Sequence, residues 1–581
     1  MTDYDVHIRG GTVVDGTRVP RYRGDVWIKD GRIAQLGGRA PGKAARTIEA
    51  EGHIVAPGFV DLHTHYDAQI RWDPWCSCSG WHGVTSVVLG NCGFGFAPVK
   101  PEYRDRSMLT MTRNEAIPFE TMKLGMEWDW ETIPEYLDSL ERAPKGVNCL
   151  HYMPTASLMT YVMGLTAAKT RGATPAERAE MARLLHEGMD AGLCGFSIQR
   201  MGPSSSQPDY DGTPMVTDTM TDEDILNLAQ VLGERQEGFI QIVQVAGAIA
   251  GDPAADIAFI EKLAGVSGRP VLHNAVFADR DDSNRDTHRP VLDWLASCHD
   301  RGLPVFGQGA TLRVHLALTL ADFNLFDGDP AWKNATTGTR EEKLRKLADP
   351  AYRAPIKESE NDPMVQGAQH LLTGPLAKLV VQSVPGHPEL EDYVGKSVEQ
   401  IAAEEGKDIV DAMFDLSVAG GLDVHFLAPE RPYSPTNYAA IINDSPYTFP
   451  GVSDGGAHTK FYNGGIFTTE FLTWLVRDEG QVPLEEAHYR LSTLPAHAAG
   501  FRDRGFLREG SPADVLVYDL EKLAVSPEDF GEIVHDLPGG EWRRVQYALG
   551  YRAILVNGEV TFGDGECTGA TPGRLLRHGR G

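Results

Sequence analysis

The sequence predicts an α/β fold: a (β/α)8 TIM-type barrel flanked by a small β-sandwich that the N- and C-terminal segments form together. Three observations predict it. Eight short apolar runs in the middle of the chain each read as a strand and alternate with helical stretches, the arithmetic of an eight-stranded parallel barrel. Both ends of the chain are strand-like and broken by glycine turns, so the termini are expected to pair around one inserted middle. A length of 581 residues exceeds one ordinary core and suits a barrel of about 250 or more residues plus an accessory domain.

Residues 1 to about 52 contain DVHIRGGTVVDG, GDVWIKDGRIAQLGG and ARTIEAEG, in which alternation and the Asp30-Gly31 turn predict hairpins. The matching pattern near the end lies at Pro512 to Tyr518 and Ala553 to Val560. The predicted division is 1–55 and 501–581 for the two parts of the sandwich and 56–500 for the barrel. The strand-like runs of the middle are Ile54 to Leu62, Gly83 to Leu89, Gly146 to His151, Leu193 to Ile198, Phe239 to Gln244, Arg269 to Asn274, Leu303 to Gln308 and Phe449 to Asp454. Helices are expected between them, at Pro175 to Asp190, Thr221 to Gly233, Pro253 to Leu263 and Pro290 to His299, with proline in the first turn of several. Before the last strand the gap is far longer than elsewhere. About 315–440, polar and rich in Asp, Glu, Lys and Pro, is predicted to be an elaborated insertion on the catalytic rim, serving as a lid or a subunit contact in a homo-oligomer.

The first apolar run ends in His63-Thr64-His65. Residues two apart in a strand point to one side, so both imidazoles can face one point. The second ends in Gly90-Asn91-Cys92-Gly93 and delivers a sulfur at a neighbouring strand end. On the shared C-terminal rim of a barrel, two imidazoles and a thiolate suit zinc or a similar borderline metal. His273 closes the sixth run as a third imidazole and is expected as a further ligand; Asp454 closes the eighth and is the natural general base. Gln244 and Asn274, at the ends of the fifth and sixth runs, are assigned to substrate contacts, glutamine being a poor zinc ligand. Asp67 is balanced between orienting a ligand imidazole and capping the next segment. His82 is expected below the rim, Cys76-Ser77-Cys78 reads as an accidental loop pair, and His458 and His497 are open between site and structure.

Lys+Arg number 54 against 81 Asp+Glu, a net charge of −27, which argues against nucleic acid or an anionic membrane as partner and leaves a small molecule as substrate. Seven scattered cysteines form no disulfide framework, and the acidic N-terminus is no signal peptide, so a cytoplasmic protein is expected.

APGFVDLHTHYD at 56–67, GNCGF at 90–94, GFS at 195–197, SDGGAH at 453–458, GSPADVLVYD at 510–519 and LVNG at 555–558 together resemble the amidohydrolase superfamily, and within it the N-acyl-D-amino-acid deacylase branch. The likeness spans almost the whole chain. It implies that His63, His65, Cys92 and His273 are metal ligands and that Asp454 is the catalytic aspartate, also touching the metal. The departures are specific. Deacylases carry Thr-His-x-Arg at the end of the fifth strand, where this chain has Ile242-Val243-Gln244-Val245-Ala246; a lysine two residues after the sixth-strand histidine is here Ala275; and Met153 to Met159 lacks the relatives' histidine and arginine after the third strand. One zinc is therefore favoured over two, and the receptor for a free carboxylate is weakened.

The function these residues support is hydrolysis of a non-peptide C–N (amide) bond by a metal-activated water with Asp454 as base. The alternatives are a hydrolase of cyclic amides, lactones or esters, and a repurposed barrel performing condensation, isomerisation or decarboxylation. A non-catalytic scaffold is disfavoured because the ligand types and the aspartate occur together.

Overall fold

The computed structural model describes residues 3–38, 40, 42–202, 205, 207–282, 287–361, 373–527 and 530–578. The N-terminal strands β1 (Tyr4–Val13), β2 (Tyr22–Lys29) and β3 (Arg32–Leu36) form an antiparallel meander, and β4 (Ala44–Glu49) and β5 (Ile54–Pro57) run parallel to β1. Lys29 pairs with Arg32, and Asp30 and Gly31 between them both have positive φ (49° and 75°), as a type I′ hairpin turn requires.

Far along the sequence, strand Val515–Tyr518 pairs antiparallel with β5, and Tyr551–Val556, Glu559–Gly563 and Glu566–Cys567 extend the same sheet. Val6, Ile8, Val26, Val55, Val515 and Leu555 fill one hydrophobic cluster there, so burial of one apolar face holds the two termini together.

The first predicted barrel run is two strands. β5 belongs to the terminal sheet and β6 (Phe59–Asp61) to the parallel set, with Gly58 between them. A Cβ on Gly58 would stand 2.2 Å from Thr85 Oγ1, so only glycine allows the chain to cross from one sheet to the other at this point.

The remaining parallel strands follow the predicted order: β7 (Val84–Leu89), β8 (Asn148–His151), β9 (Met153–Pro154), β10 (Gly195–Arg200), β11 (Phe239–Gln244), β12 (Val271–Val276) and β13 (Val305–Gly309), then Thr448–Pro450. Pairing runs β6-β7-β8 and, after Tyr152, from β9 through β13 to Thr448–Pro450, every pair parallel. A parallel bridge between Thr64 and Gly455 joins the chain beyond the first strand to the chain beyond the last. Val60, Val88, Leu150, Phe239, Leu272 and Phe306, from different strands, converge in one buried cluster beneath those strand ends.

The crossover helices form where expected. Pro175–Ala191 and Asp222–Arg235 begin with capping boxes on Thr174 and Thr221, and Pro253–Ser267 and Arg289–Asp300 carry proline in the first turn.

The long insertion holds a three-stranded antiparallel sheet of Ala317–Leu318, His425–Leu427 and Val380–Ser383, with helices packed around a separate cluster that includes Leu318, Phe326, Trp332, Phe414 and Phe426. Ala116 and Phe461, from outside the insertion, join this cluster. Residues 362–372 of the insertion lie outside the described residues. Among the described residues, no helix is long and apolar enough to cross a membrane.

Candidate metal centre

His63 and His65 leave the end of β6, and Cys92 leaves the end of β7. Nδ/Nε and Sγ atoms of these three buried side chains lie within 4.8 Å of one another. His63 Nε2 stands 3.4 Å from Cys92 Sγ and 3.0 Å from Asp454 Oδ1, and His65 Nε2 is 3.8 Å from the same carboxylate oxygen. Donors around a tetrahedral zinc are about 3.3–3.8 Å apart. Two imidazoles, one sulfur and one carboxylate at such separations fit a single divalent cation. Asp454 is the open member, its side chain 23% exposed against 3% for His63 and 2% for His65.

Backbone conformation delivers two of these groups. Cys92 (φ 56°) and Asp454 (φ 48°) both occupy the left-handed region, which costs an L-residue free energy and persists where surrounding contacts over-determine it. Cys92 N–H donates to Gln241 Oε1 at 2.9 Å, and Gly93 N–H donates to Ser197 Oγ at 2.9 Å. On the opposite side His65 N–H donates to Gly455 O at 2.7 Å. Ser453 Oγ lies 2.6 Å from Asp61 Oδ2 and 2.7 Å from His63 O, and accepts from Gly455 N–H at 3.0 Å.

The electrostatics without a cation are in conflict. Burial works against charge on His63, but the Cys92 sulfur and the Asp454 carboxylate overcome it and raise its pKa well above the ordinary value. Burial pushes Asp454 up, yet His63, His458 and His65 outweigh it and hold the carboxyl at about 2. His65, dominated by burial, falls to about 3. Burial raises the Cys92 thiol, only partly offset by His63, and raises Asp61 to about 7. Without a cation, a proton on His63 balances the Asp454 carboxylate. A divalent cation in its place would favour thiolate and neutral imidazole together.

Two of the expected residues stand elsewhere. His273 is not brought to the cluster: its ring packs edge-on against Trp294, 5.4 Å between centroids, on the helix side of β12. The inward position belongs to Asn274, whose carboxamide hydrogen-bonds His63 Nδ1; Asn274 thus contacts a histidine of the cluster. Gln244 also points outward, its Nε2 donating to Asp256 Oδ1 at 2.7 Å. Three residues earlier on β11, Gln241 takes the inward position against Cys92.

Asp67 faces His151 at 3.6 Å and reaches neither histidine of the HTH motif by a hydrogen bond among the described residues. His82 is bonded through Nδ1 to Thr469 Oγ1 and through Nε2 to Gln546 O, away from the cluster, and His497 is exposed. Cys76 and Cys78 are buried free thiols, Cys78 3.5 Å from an Arg543 nitrogen.

His458, by contrast, joins the site, 4.0 Å from Asp454 Oδ2 and 3.3 Å from Glu115 Oε2. Gln241 and Glu115 were not expected from the sequence. The period-two phase of β11, counted from inward Phe239, singles out Gln241; no motif marks Glu115.

Residues 46–562 match the family model described as Amidohydrolase family. An uncharacterized protein of Mycobacterium tuberculosis is 30% identical, with 99% of this chain and 96% of its own covered. The N-acyl-D-aspartate deacylase of Alcaligenes xylosoxydans xylosoxydans is 28% identical over 99% of this chain and 95% of its own. Among solved structures, the N-acyl-D-glutamate deacylase from Bordetella bronchiseptica, complexed with zinc and a phosphonate inhibitor, aligns with a TM-score of 0.64 at 22% identity and 99% coverage of both chains, a likeness of fold.

Proposed function

The chain belongs to the amidohydrolase family and is a metal-dependent hydrolase of C–N bonds other than peptide bonds; we propose that His63, His65, Cys92 and Asp454 hold its metal, a single zinc ion, and that Asp454 is also the general base. The observation that carries this is the convergence of the three donors within 4.8 Å beside the one carboxylate open to a substrate. A second zinc lacks donors: the inward places on β11 and β12 hold the amides of Gln241 and Asn274. We further read the nine parallel strands, β8 and β9 counting as one stave, as one closed eight-stave barrel, 56–500, with the insertion at about 315–440. The terminal segments 1–55 and 501–581 form its β-sandwich. The Thr64–Gly455 bridge and the cluster of inward residues support closure.

Held by these residues, zinc would supply Lewis acidity, which brings the ionisation of water down to about pH 7 and polarises a carbonyl. The Asp454 carboxylate accepts the proton of the attacking water and returns it to the leaving nitrogen, which makes the amine a competent leaving group. Asn274 fixes the His63 ring, Gln241 fixes the backbone of Cys92, and Ser453 with Asp61 ties the His63 and Asp454 loops together. Phe94, its ring 6.5 Å from that of His65, also lines a cleft whose other walls are both apolar (Val99, Met111, Met215) and charged (Lys100, Arg106, Asp209).

The substrate class is an N-acyl-D-amino acid or a close N-acylated amine, the class named by the deacylase relatives. The zinc-loaded chain is to be assayed on N-acyl-D-amino acids with neutral and acidic side chains, beside cyclic amides, lactones and esters, following release of acid and amine. Turnover of the cyclic or ester substrates with no cleavage of any linear amide would overturn the deacylase assignment.

A further inference from the structure

Glu115 is the last residue of the helix Arg104–Glu115 and is 2% exposed. Its placement opposes its charge in three ways. A helix C-terminus carries partial negative charge, so an acid there is repelled. Burial strips its hydration. Two acidic neighbours, Asp454 and Asp67, repel it again. Among the described residues no lysine or arginine pairs with it. Among the described residues, the basic nitrogens paired with Glu115 Oε2 are imidazole nitrogens, His458 Nε2 at 3.3 Å and His65 Nε2 at 3.8 Å.

The surroundings nonetheless fix the residue firmly. His458 N–H donates to Glu115 O at 2.6 Å. Asn324 Nδ2, from the insertion, donates to Arg113 O at 2.8 Å and to Asn114 O at 3.1 Å, and Arg113 is paired with Asp327 of the same insertion. His458 itself has φ 58°, the left-handed region again. Buried carboxylates are retained where a cation faces them. The separation from His65 Nε2 is that of two donors sharing one ion.

We propose that Glu115 is a further oxygen donor facing the metal, held in place by His458 and by the clamp of the insertion on its helix. The inference rests on the metal-centre reading above. It gives this chain a donor that comes from outside the strand ends, on a helix whose end the insertion closes. It also gives the insertion a role in metal retention.

The test is zinc affinity of the full chain by competition with a chromophoric chelator, for the unaltered protein, Glu115→Gln and Glu115→Ala. The visible spectrum of the cobalt-substituted proteins and the melting temperature of the zinc-free ones are measured alongside. Expected are a zinc affinity lower by roughly ten- to a hundredfold, an altered cobalt spectrum, and a zinc-free melting temperature equal to or above that of the unaltered chain, since an opposed buried charge has been removed. An unchanged cobalt spectrum in Glu115→Gln, whether affinity holds or falls together with the zinc-free melting temperature, overturns the inference while leaving the metal centre standing. An unaltered chain that binds no zinc ends both.

Discussion

The carboxamide of Asn274 meets His63 at Nδ1, which leaves Nε2 turned toward Cys92 and Asp454. An amide can present either its oxygen or its nitrogen. In the structure Nδ2 faces Nδ1 and Oδ1 has no hydrogen-bond partner; only the opposite amide placement, with Oδ1 accepting from Nδ1–H, would hold the imidazole in the tautomer whose Nε2 lone pair is free for a metal. Asn274 therefore fixes the orientation of the His63 ring from a position outside the proposed ligand set.

Asn274→Ala is expected to weaken zinc binding by roughly 10–100-fold, the usual cost of losing a partner that orients a ligand histidine. His273→Ala, one residue away but packed on Trp294, is expected to leave zinc stoichiometry unchanged. Chelator competition on the two variants checks the pair. Loss of zinc from His273→Ala with retention in Asn274→Ala would reverse the assignment.

Asp454→Asn keeps the size of the side chain but removes the proton acceptor. A positioned acid–base group contributes about 10²–10⁴-fold, so kcat is predicted to fall by that order while zinc content stays near that of the unaltered enzyme. A variant with near-normal kcat would take Asp454 out of the mechanism.

Burial lowers the pKa of His82 from 6.5 to about 4, opposed weakly by its bond to Gln546 O. With the folded value below the unfolded one, the unfolded chain binds more protons between these limits. The stabilising contribution is present above about pH 6.5 and is lost as pH falls toward 4. The stability gap between the chain and His82→Gln, measured by denaturant unfolding of zinc-free protein, is predicted to narrow by roughly 3 kcal/mol across that range. A gap independent of pH would show that His82 does not titrate this way.

Much of this was legible in the sequence because each parallel strand is a short apolar run ending in turn residues, and because metal-binding types stand where those runs stop. His63, His65, Cys92 and Asp454 could be placed from that alone. Phase could not. Around Leu272-His273-Asn274 the strand is buried on one face by helices and on the other by the interior, so no polar alternation tells which of the two polar residues faces in, and chemical type favours His273. The same ambiguity exchanged Gln244 for Gln241. The division of the first run at Gly58 was hidden because the residues on both sides are apolar. Glu115 was hidden for a different reason: a helix-ending glutamate reads locally as solvated, and the residues that surround it, His65, His458 and the insertion's Asn324 on its helix end, are distant in sequence.

The most direct measurement is the metal content of the purified chain and of the variant carrying both His63→Ala and His65→Ala, by elemental analysis, with circular dichroism to confirm that both are folded. About one zinc per chain in the unaltered protein and essentially none in the folded variant is the predicted result. Equal metal in the two would contradict the centre and the hydrolytic mechanism built on it.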